Sequence, residues 1–154
     1  MGPKKNYLSE VRRIPMVRLD PEMPPLGHAK PGDAGVDLRA TQAVSLQPGE
    51  RSLIPTGIAL AIPEGYAGFV QPRSGMALNK GLGLLNSPGL IDSGYRGEIK
   101  VIAINLDASA LEIARGDRIA QLVILPVPPV AYEEVERLPE SERGAGGFGS
   151  TGTG

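Results

Sequence analysis

Glycine and proline interrupt this chain so often that long helices are excluded over most of its length. The 154 residues include 21 glycines and 15 prolines, and both counts are well above average usage. The apolar residues between them fall in short runs, a pattern typical of strands joined by tight turns. The glycines show no three-residue period, which excludes a collagen helix. We therefore expect a mostly β protein.

Length and composition predict a single globular domain over residues 1–154, with an aliphatic core. A chain of this length can bury one substantial core, and aromatic residues make up only 4% of it. We expect residues 1–13 to form a loose N-terminus. We expect residues 139–154 to form a flexible tail, because Phe148 is its one large apolar residue and buries too little surface to offset the ordering entropy.

Charge and missing residue types narrow the possible functions. The net charge of −1 provides no global basic field, so no nucleic-acid partner is expected, although a phosphate ligand needs only a local cluster. The absence of cysteine excludes disulfides and a cysteine nucleophile, and His28 has no companions for a metal site or a triad. With no apolar run near the ~20 residues of a membrane span and no secretory signal, we expect a cytoplasmic protein without a membrane partner.

The local patterns predict many short strands and one short helix. The helix is expected over Ser74–Lys80, with Ser74 as its N-cap and Gly81 closing its C-terminus. An apolar hairpin broken by glycines is expected over 82–91. Such a series suggests a jelly-roll-like β-barrel or sandwich. Strands are predicted at 16–19, 36–40, 43–46, 53–56, 58–62, 66–71, 99–106, 119–125 and 130–135.

Two of these strands, 99–106 and 119–125, are apolar at nearly every position. Such a pattern requires cover on both faces of the strand. A single small domain has few elements with which to provide that cover. Contact between subunits would supply it, so we predict a homo-oligomer.

The glycine-rich terminus is a candidate phosphate-binding loop. Residues 143–152 read RGAGGFGSTG. Glycines let backbone amides converge on phosphate oxygens, Arg143 can donate two hydrogen bonds to one, and Ser150 and Thr151 add hydroxyl donors. Phe148 offers a face on which a base can stack. No lysine or helix follows, so this is not a Walker A loop, and a plain flexible linker is the alternative reading.

Two further segments offer an anion site and a carboxylate. The sequence PRSG at 72–75 places Arg73 where a strand ends and a helix begins, and a helix N-terminus favours anions. Asp37, within AGVDL at 34–38, lies at a loop-to-strand junction. It is suited to hold the water shell of a magnesium ion, which needs few protein carboxylates. The alternatives are an ordinary serine cap with a surface arginine, and a turn aspartate.

Residues 86–98, NSPGLIDSGYRGE, are the most informative stretch. Asp92 follows a short apolar run and is placed to orient a water molecule. Tyr95 has a flat face suited to a sugar. Asn86 offers both a donor and an acceptor, as the imide edge of a base requires. The alternative is a hairpin whose polar residues only make turns.

The segment GDRIAQL at 116–122 opens one of the two strongest predicted strands. Gln121 is a polar residue inside an apolar run, so its amide needs either a backbone or a ligand partner. Asp117 and Arg118 are expected to form a structural ion pair.

Taken in order, these segments resemble the trimeric dUTPase family. The motifs AGVDL, PRSG, GLIDSGYRGE, GDRIAQL and RGAGGFGSTG span Ala34 to Gly152. The resemblance implies a homotrimeric jelly-roll-like β-barrel with a flexible C-terminal arm, and active sites shared between subunits. It implies hydrolysis of dUTP to dUMP and pyrophosphate with Mg²⁺, which limits uracil incorporation into DNA and supplies dUMP for thymidylate synthesis.

The same resemblance assigns roles to individual residues. It implies that Asp92 activates the water that attacks the α-phosphorus, that Arg73 assists catalysis, and that Asp37 anchors the metal through water. It implies that Tyr95 lies against the deoxyribose and rejects a 2′-hydroxyl. The residues that it implies bind substrate are Ser74, Gly75, Asn86, Gly89, Ile91, Tyr95, Gln121, Arg143, Gly147, Phe148, Gly149, Ser150 and Thr151.

The chain departs from the family pattern at Gly94, where many members carry a second acidic residue two places after the catalytic aspartate. Two other functions fit the same fold. One is a dCTP deaminase, or a bifunctional deaminase and hydrolase. The other is a trimeric module that binds nucleotides without catalysis.

Overall fold

The computed structural model describes residues 11–148 and has one short helix among many strands. Residues 11–13 have no regular structure, and residues 1–10 of the predicted loose N-terminus lie outside the described range. The elements are β1 (Met16–Arg18), β2 (Val36–Arg39), β3 (Val44–Leu46), β4 (Arg51–Leu60), β5 (Tyr66–Gln71), α1 (Ser74–Lys80), β6 (Leu82–Leu84), β7 (Gly89–Ile91), β8 (Glu98–Asn105), β9 (Leu111–Ile113) and β10 (Arg118–Pro126).

The strands form three antiparallel sheets. One has the order β1-β4-β8-β6, a second has the order β2-β10-β5-β7, and a third pairs β3 with β9. Strand pairing within the described residues does not join these sheets into a closed barrel. The prediction of a mostly β chain with one short helix is confirmed.

A single aliphatic core is built from all three sheets. Its buried members include Ile99, Val101 and Ala103, which alternate along β8 as the period of two along a strand requires. No phenylalanine or tyrosine belongs to the fully buried cluster among residues 11–148. The predicted aliphatic core is therefore confirmed.

A bulge interrupts the long strand β4. The register with β8 shifts between Pro55 and Ile58, where Gly57 has a positive φ of 69°. The buried hydroxyl of Thr56 donates to the carbonyl of Ile99 over 2.5 Å, and the amide of Gly57 donates to Glu98 Oε1 over 2.9 Å. The buried hydroxyl and the unpaired backbone amide at the bulge therefore both have hydrogen-bond partners.

The predicted hairpin over 82–91 is wrong. Strand β6 pairs with β8, whereas β7 pairs with β5, so this segment crosses from one sheet to another. Leu84 and Ile91 both point into the core. Burial of these side chains between different sheets takes precedence over the local pairing that a glycine-rich turn suggests. We call residues 85–88 the β6–β7 connection.

Three other local predictions need correction. No strand forms over 130–135, where every residue is exposed. The strand Leu111–Ile113 was not predicted, and its three residues are too few to show a clear alternation. The predicted helix is present with Gly81 closing it at a φ of 63°, but its N-cap is Arg73 and no side chain caps it.

The outer faces of the two strongly apolar strands remain only half-covered within one chain. Ile102 and Ile104 on β8, and Val123 on β10, are partly accessible, and Leu53 beside Ile102 is 54% exposed. These faces match the sequence expectation that a single domain does not cover both sides.

Within residues 11–148, no helix has the length and apolar character needed to cross a bilayer.

Candidate functional site

The central position of β10 brings three separated sequence segments together. Gln121 on β10 lies opposite Asp37 on β2 and, on its other side, opposite Gln71 on β5. Strand β5 runs directly into Arg73 and the helix. The segments around 34–38, 72–75 and 116–122 thus converge because β10 pairs with both of its neighbours.

The side chain of Gln121 ties these strands together. Its Nε2 donates to the carbonyl of Pro72 over 2.9 Å. Its Oε1 lies 2.7 Å from the place where a Cβ of Gly35 would stand, so a side chain at Gly35 would collide with it. The sequence left open whether this amide binds backbone or ligand. The structure gives its nitrogen a backbone partner.

Asp37 lies between two arginines. Its Oδ1 is 2.7 Å from Arg73 Nε, and its Oδ2 is 3.3 Å from Arg118 Nη1. The predicted ion pair between Asp117 and Arg118 is wrong, because Asp117 accepts the amide of Ala114 at a turn. Arg118 is the first residue of β10 and its side chain reaches Asp37 on the neighbouring strand instead.

These residues surround a cavity of about 340 Å³, which we call the anion cavity. Arg118 was not among the predicted site residues, and its sequence signal was hidden by the adjacent aspartate. Two arginines and the start of a helix line this space, which suits it to a phosphate group. Its lining residues are Ala29, Asp33, Ala34, Gly35, Asp37, Arg73, Ser74, Gly75, Arg118 and Gln121.

A second cavity, of about 470 Å³, lies beside the β6–β7 connection, and we call it the base cavity. Its walls are mainly aliphatic, with a few polar groups at the edge, as is common in sites for small molecules. The predicted site residues in its lining are Asn86, Gly89, Ile91, Asp92 and Tyr95.

The turn that carries Asp92 and Tyr95 is fixed by its own hydrogen bonds. The amide of Tyr95 donates to the carbonyl of Asp92 over 3.1 Å. Arg96 Nη1 donates to the carbonyls of Ser93 and Tyr95 over 2.6 and 3.0 Å. Asp92 itself is exposed. Its carboxylate is therefore held by a rigid turn and remains accessible to water.

Three of the predicted tail residues are described, and Arg143, Gly147 and Phe148 line neither cavity. Arg143 donates from Nε to the carbonyl of Gly146 over 3.1 Å, and Phe148 is fully exposed. Gly147 lies between them without a contact to either cavity lining. Gly149, Ser150 and Thr151 lie outside the described residues.

The two cavities have no lining residue in common. One chain therefore places Asp92 with Asn86 and Tyr95, but does not group them with Asp37 and Arg73.

The dUTPase family model matches this chain from residue 22 to residue 152. The chain belongs to the dUTPase family. Two curated relatives carry the name deoxyuridine 5′-triphosphate nucleotidohydrolase. The one from Streptomyces avermitilis is 55% identical over 88% of this chain and 78% of its own length. The one from Rhodococcus erythropolis is 53% identical over 94% of this chain and 89% of its own length.

Solved structures of phage dUTPases share the fold. The dUTPase of Staphylococcus bacteriophage 80alpha with dUpNHpp superposes with a TM-score of 0.86 at 29% identity, over 93% of this chain and all of that one. A mutant dUTPase from phage phi11 of S. aureus superposes with a TM-score of 0.76 at 27% identity, over 82% of this chain and 98% of that one. The phi11 structure is described as showing the coordination of a structural Mg(II) ion.

The potential metal ligands of this dUTPase chain fit magnesium in one arrangement only. Among residues 11–148, no three histidine, cysteine or carboxylate side chains are grouped to form a cage. Asp37 lies at the anion cavity, where Ser74 adds a hydroxyl. Magnesium usually keeps several waters and is held by few carboxylates together with substrate phosphates. The residues present therefore fit an ion whose other ligands come from water and a triphosphate.

Proposed function

We propose that this chain hydrolyses dUTP to dUMP and pyrophosphate, limiting uracil incorporation into DNA and supplying dUMP. The observation that carries the proposal is the placement of Asp92 and Tyr95 together with Asn86 at one cavity, in a member of the dUTPase family. The relatives named above act on deoxyuridine triphosphate by their names. A cytoplasmic location stays a prediction from the sequence.

In this proposal the uracil enters the base cavity and is read by Asn86 and by backbone groups around Gly89 and Ile91. The amide of Asn86 can serve both the carbonyl and the imide hydrogen of the base. Tyr95 lies against the deoxyribose, where a 2′-hydroxyl would meet the ring. Selectivity for the deoxy sugar then comes from shape at this contact.

Asp92 is the proposed general base. It takes a proton from a water molecule, and that water attacks the α-phosphorus while the bond to the β-phosphate oxygen breaks. A carboxylate need only be ionised and correctly aimed to perform this step near neutral pH. The hydrogen-bonded turn around Asp92 orients the carboxylate, and the exposure of Asp92 gives water access to it.

The anion cavity is the proposed phosphate site. Arg73 stabilises charge that develops on the leaving pyrophosphate, and Ser74, Gly75 and Gln121 hold phosphate oxygens. Asp37 would hold magnesium through water. When bound, that ion neutralises part of the roughly four negative charges that a triphosphate carries near neutral pH.

We further propose that residues 1–154 form one domain, a jelly-roll-like barrel, and that three chains assemble with shared sites. The separation of the two cavities and the half-covered outer faces of β8 and β10 support this assembly. Residues 127–148, the described part of the arm after Pro126, form no strand, which leaves this arm available to a neighbour. Arg143, Gly147, Phe148, Gly149, Ser150 and Thr151 would then close over the bound triphosphate.

Pyrophosphate release tests the proposal directly. The purified chain is given dUTP, UTP, dCTP or dTTP in parallel, with and without magnesium, and pyrophosphate and ammonia are both measured. We expect pyrophosphate from dUTP far above the other three substrates. Ammonia from dCTP would favour the deaminase alternative, and dUTP binding without pyrophosphate would favour a binding module.

A further inference from the structure

Gly97 lies directly beneath the ring of Tyr95. A Cβ built on Gly97 would stand 2.5 Å from the Tyr95 hydroxyl oxygen, 2.7 Å from Cζ and 3.1 Å from Cε2. The first two distances are below 3.0 Å, a separation that Cβ atoms in folded proteins essentially never show. The observed ring position therefore requires the absence of any side chain at residue 97.

Hydrogen bonds also hold Tyr95 at its hydroxyl and at its backbone. The hydroxyl of Tyr95 donates to the carbonyl of Glu98 over 2.9 Å. The backbone carbonyl of Tyr95 accepts a hydrogen bond from Arg96 Nη1 over 3.0 Å. The carboxylate of Glu98 accepts a hydrogen bond from the amide of Gly57 in the β4 bulge. The residue that binds the Tyr95 hydroxyl is therefore itself attached to the sheet. At Gly97 the position of the ring is limited by steric contact, and at the hydroxyl it is fixed by a hydrogen bond.

We infer that Gly97 is a positioning residue for Tyr95 and thereby sets the discrimination between deoxyribose and ribose triphosphates. The inference rests on the proposed function, in which Tyr95 lies against the sugar. If the ring of Tyr95 rejects an added 2′-hydroxyl by steric contact, the discrimination depends on the exact position of the ring. Displacements near 1 Å in a site can cost about 100-fold in rate. A side chain at residue 97 displaces the ring from this position and changes its steric contact with the sugar.

The test compares Gly97→Ala with Gly94→Ala. Both glycines lie between β7 and β8, and neither is among the residues with positive φ, so the backbone conformation at each is open to alanine. A Cβ on Gly94 would meet nothing within 4 Å. We expect Gly97→Ala to lower the ratio of kcat/KM for dUTP over UTP by roughly tenfold. Gly94→Ala should leave that ratio within about twofold of the parent chain.

A double variant shows whether the effect passes through the ring. Adding Gly97→Ala to a Tyr95→Ala chain should change the dUTP to UTP ratio no further, because no ring remains to be displaced. An equal drop in both backgrounds would overturn the inference, as would a Gly97→Ala chain with the parent ratio. If Gly97→Ala alone fails to fold, the double variant should fold. Failure of both would show that the glycine serves the backbone instead.

Failure of the proposed function gives a different result. If the parent chain releases no pyrophosphate from dUTP, that function is wrong. Binding of the imido analogues of dUTP and UTP, measured by calorimetry, then decides the inference. Loss of the deoxy preference in Gly97→Ala but not in Gly94→Ala would support the positioning role even without turnover. Equal preferences in both variants would reject it.

Discussion

Arg73 donates from Nε to Oδ1 of Asp37 over 2.7 Å, and each side chain keeps 25% of its surface exposed. Arg118 approaches the other carboxylate oxygen at 3.3 Å. Both arginines face the cavity proposed to hold phosphates. A phosphate therefore competes with Asp37 for these guanidinium groups, unless a cation accompanies it.

The first prediction is that Asp37→Asn strengthens inhibition by pyrophosphate in the absence of magnesium. The neutral amide releases Arg73 and Arg118 for the anion, and partly exposed ion pairs of this kind contribute up to about 1 kcal/mol, or roughly fivefold in affinity. In the presence of magnesium, turnover of dUTP should fall instead, because the proposed anchor of the metal's water shell is lost. Inhibition constants measured with and without magnesium check both parts.

Asp33→Asn is the matched control for this substitution. Asp33 lines the same cavity, but its Oδ2 accepts the amide of Lys30 across a turn. Its removal should leave the inhibition constant for pyrophosphate close to that of the parent. Equal constants for the two variants would show that Asp37 does not compete with phosphate.

The second prediction concerns the proposed base. Asp92→Asn should bind the imido analogue of dUTP with nearly parent affinity and lose at least about 100-fold in kcat, the usual contribution of a positioned base. Asp107→Asn, which removes a carboxylate outside both cavities, should keep the parent rate. Single-turnover kinetics and calorimetry separate the two quantities. An Asp92→Asn chain with parent kcat would remove this residue from the chemistry.

The positions of most strands could be predicted from the sequence, whereas their partners could not. Glycine and proline mark where strands end, and this information is local. Pairing depends on which side chains the core accepts. Residues 82–91 show the difference, because a turn-rich segment with apolar flanks reads as a hairpin but here joins two sheets.

In the candidate site, too, the local segments could be predicted from the sequence, whereas the contacts between distant residues could not. The segments holding Asp37, Arg73 and Gln121 were each identified from the sequence, and the structure brings all three together. Arg118 was missed because its neighbour Asp117 offered an ion pair in sequence, while the true partner lies across the sheet. A contact between residues distant along the chain leaves no signal in one sequence.

The third prediction concerns stability. Asn105 is fully buried, and its Nδ2 donates to the carbonyls of Leu46 and Ser109 over 2.9 and 2.8 Å. Its Oδ1 accepts the amide of Asp107 over 2.9 Å. Asn105→Leu leaves these backbone groups without partners, so the free energy of unfolding should fall by roughly 3 kcal/mol. Urea unfolding at a fixed protein concentration measures it.

Asn79→Leu provides the comparison, since Asn79 lies exposed on the helix. This substitution should change the free energy of unfolding by no more than about 0.5 kcal/mol. If the two variants unfolded at the same urea concentration, the hydrogen bonds of Asn105 would not stabilise the fold as argued.

The fourth prediction concerns the stability of the fold at acidic pH. The guanidinium of Arg115 hydrogen-bonds the carboxylate of Asp20, with contacts of 2.6 and 3.1 Å, and this lowers the pKa of Asp20 from its ordinary value of 3.8. A carboxyl whose pKa is lower in the folded chain stabilises the fold above its ordinary pKa. The contribution is lost as the pH falls through the folded value.

Asp20→Asn should therefore lower the melting temperature slightly at pH 7, and the difference from the parent should shrink as the pH falls below 3.8. The effect is small because the pair is exposed to solvent. Glu22→Gln, which removes the 86% exposed partner of Arg115, should have less effect at every pH. A difference that grows toward acid would contradict the assigned direction.

The fifth prediction concerns the tail. Deleting residues 144–154 should leave the fold and the oligomer intact, because the described part of this segment makes only local hydrogen bonds to residues 141 and 143. Turnover of dUTP should nevertheless be largely lost, since the proposed closure over the triphosphate excludes water and aligns the phosphates. Light scattering reports the oligomer, and pyrophosphate release reports the rate.

Substitution of Phe148 tests whether the tail acts by stacking on the base or only by its presence over the site. Phe148 is fully exposed in the single chain, so its replacement should not alter folding. Stacking on a base contributes about 1–3 kcal/mol, and Phe148→Ala should therefore raise the KM for dUTP at least about fivefold. Phe148→Trp keeps an aromatic face and should restore the parent value. A Phe148→Ala chain with parent kinetics would show that the tail acts without stacking, and parent kinetics after the deletion would remove the tail from the reaction altogether.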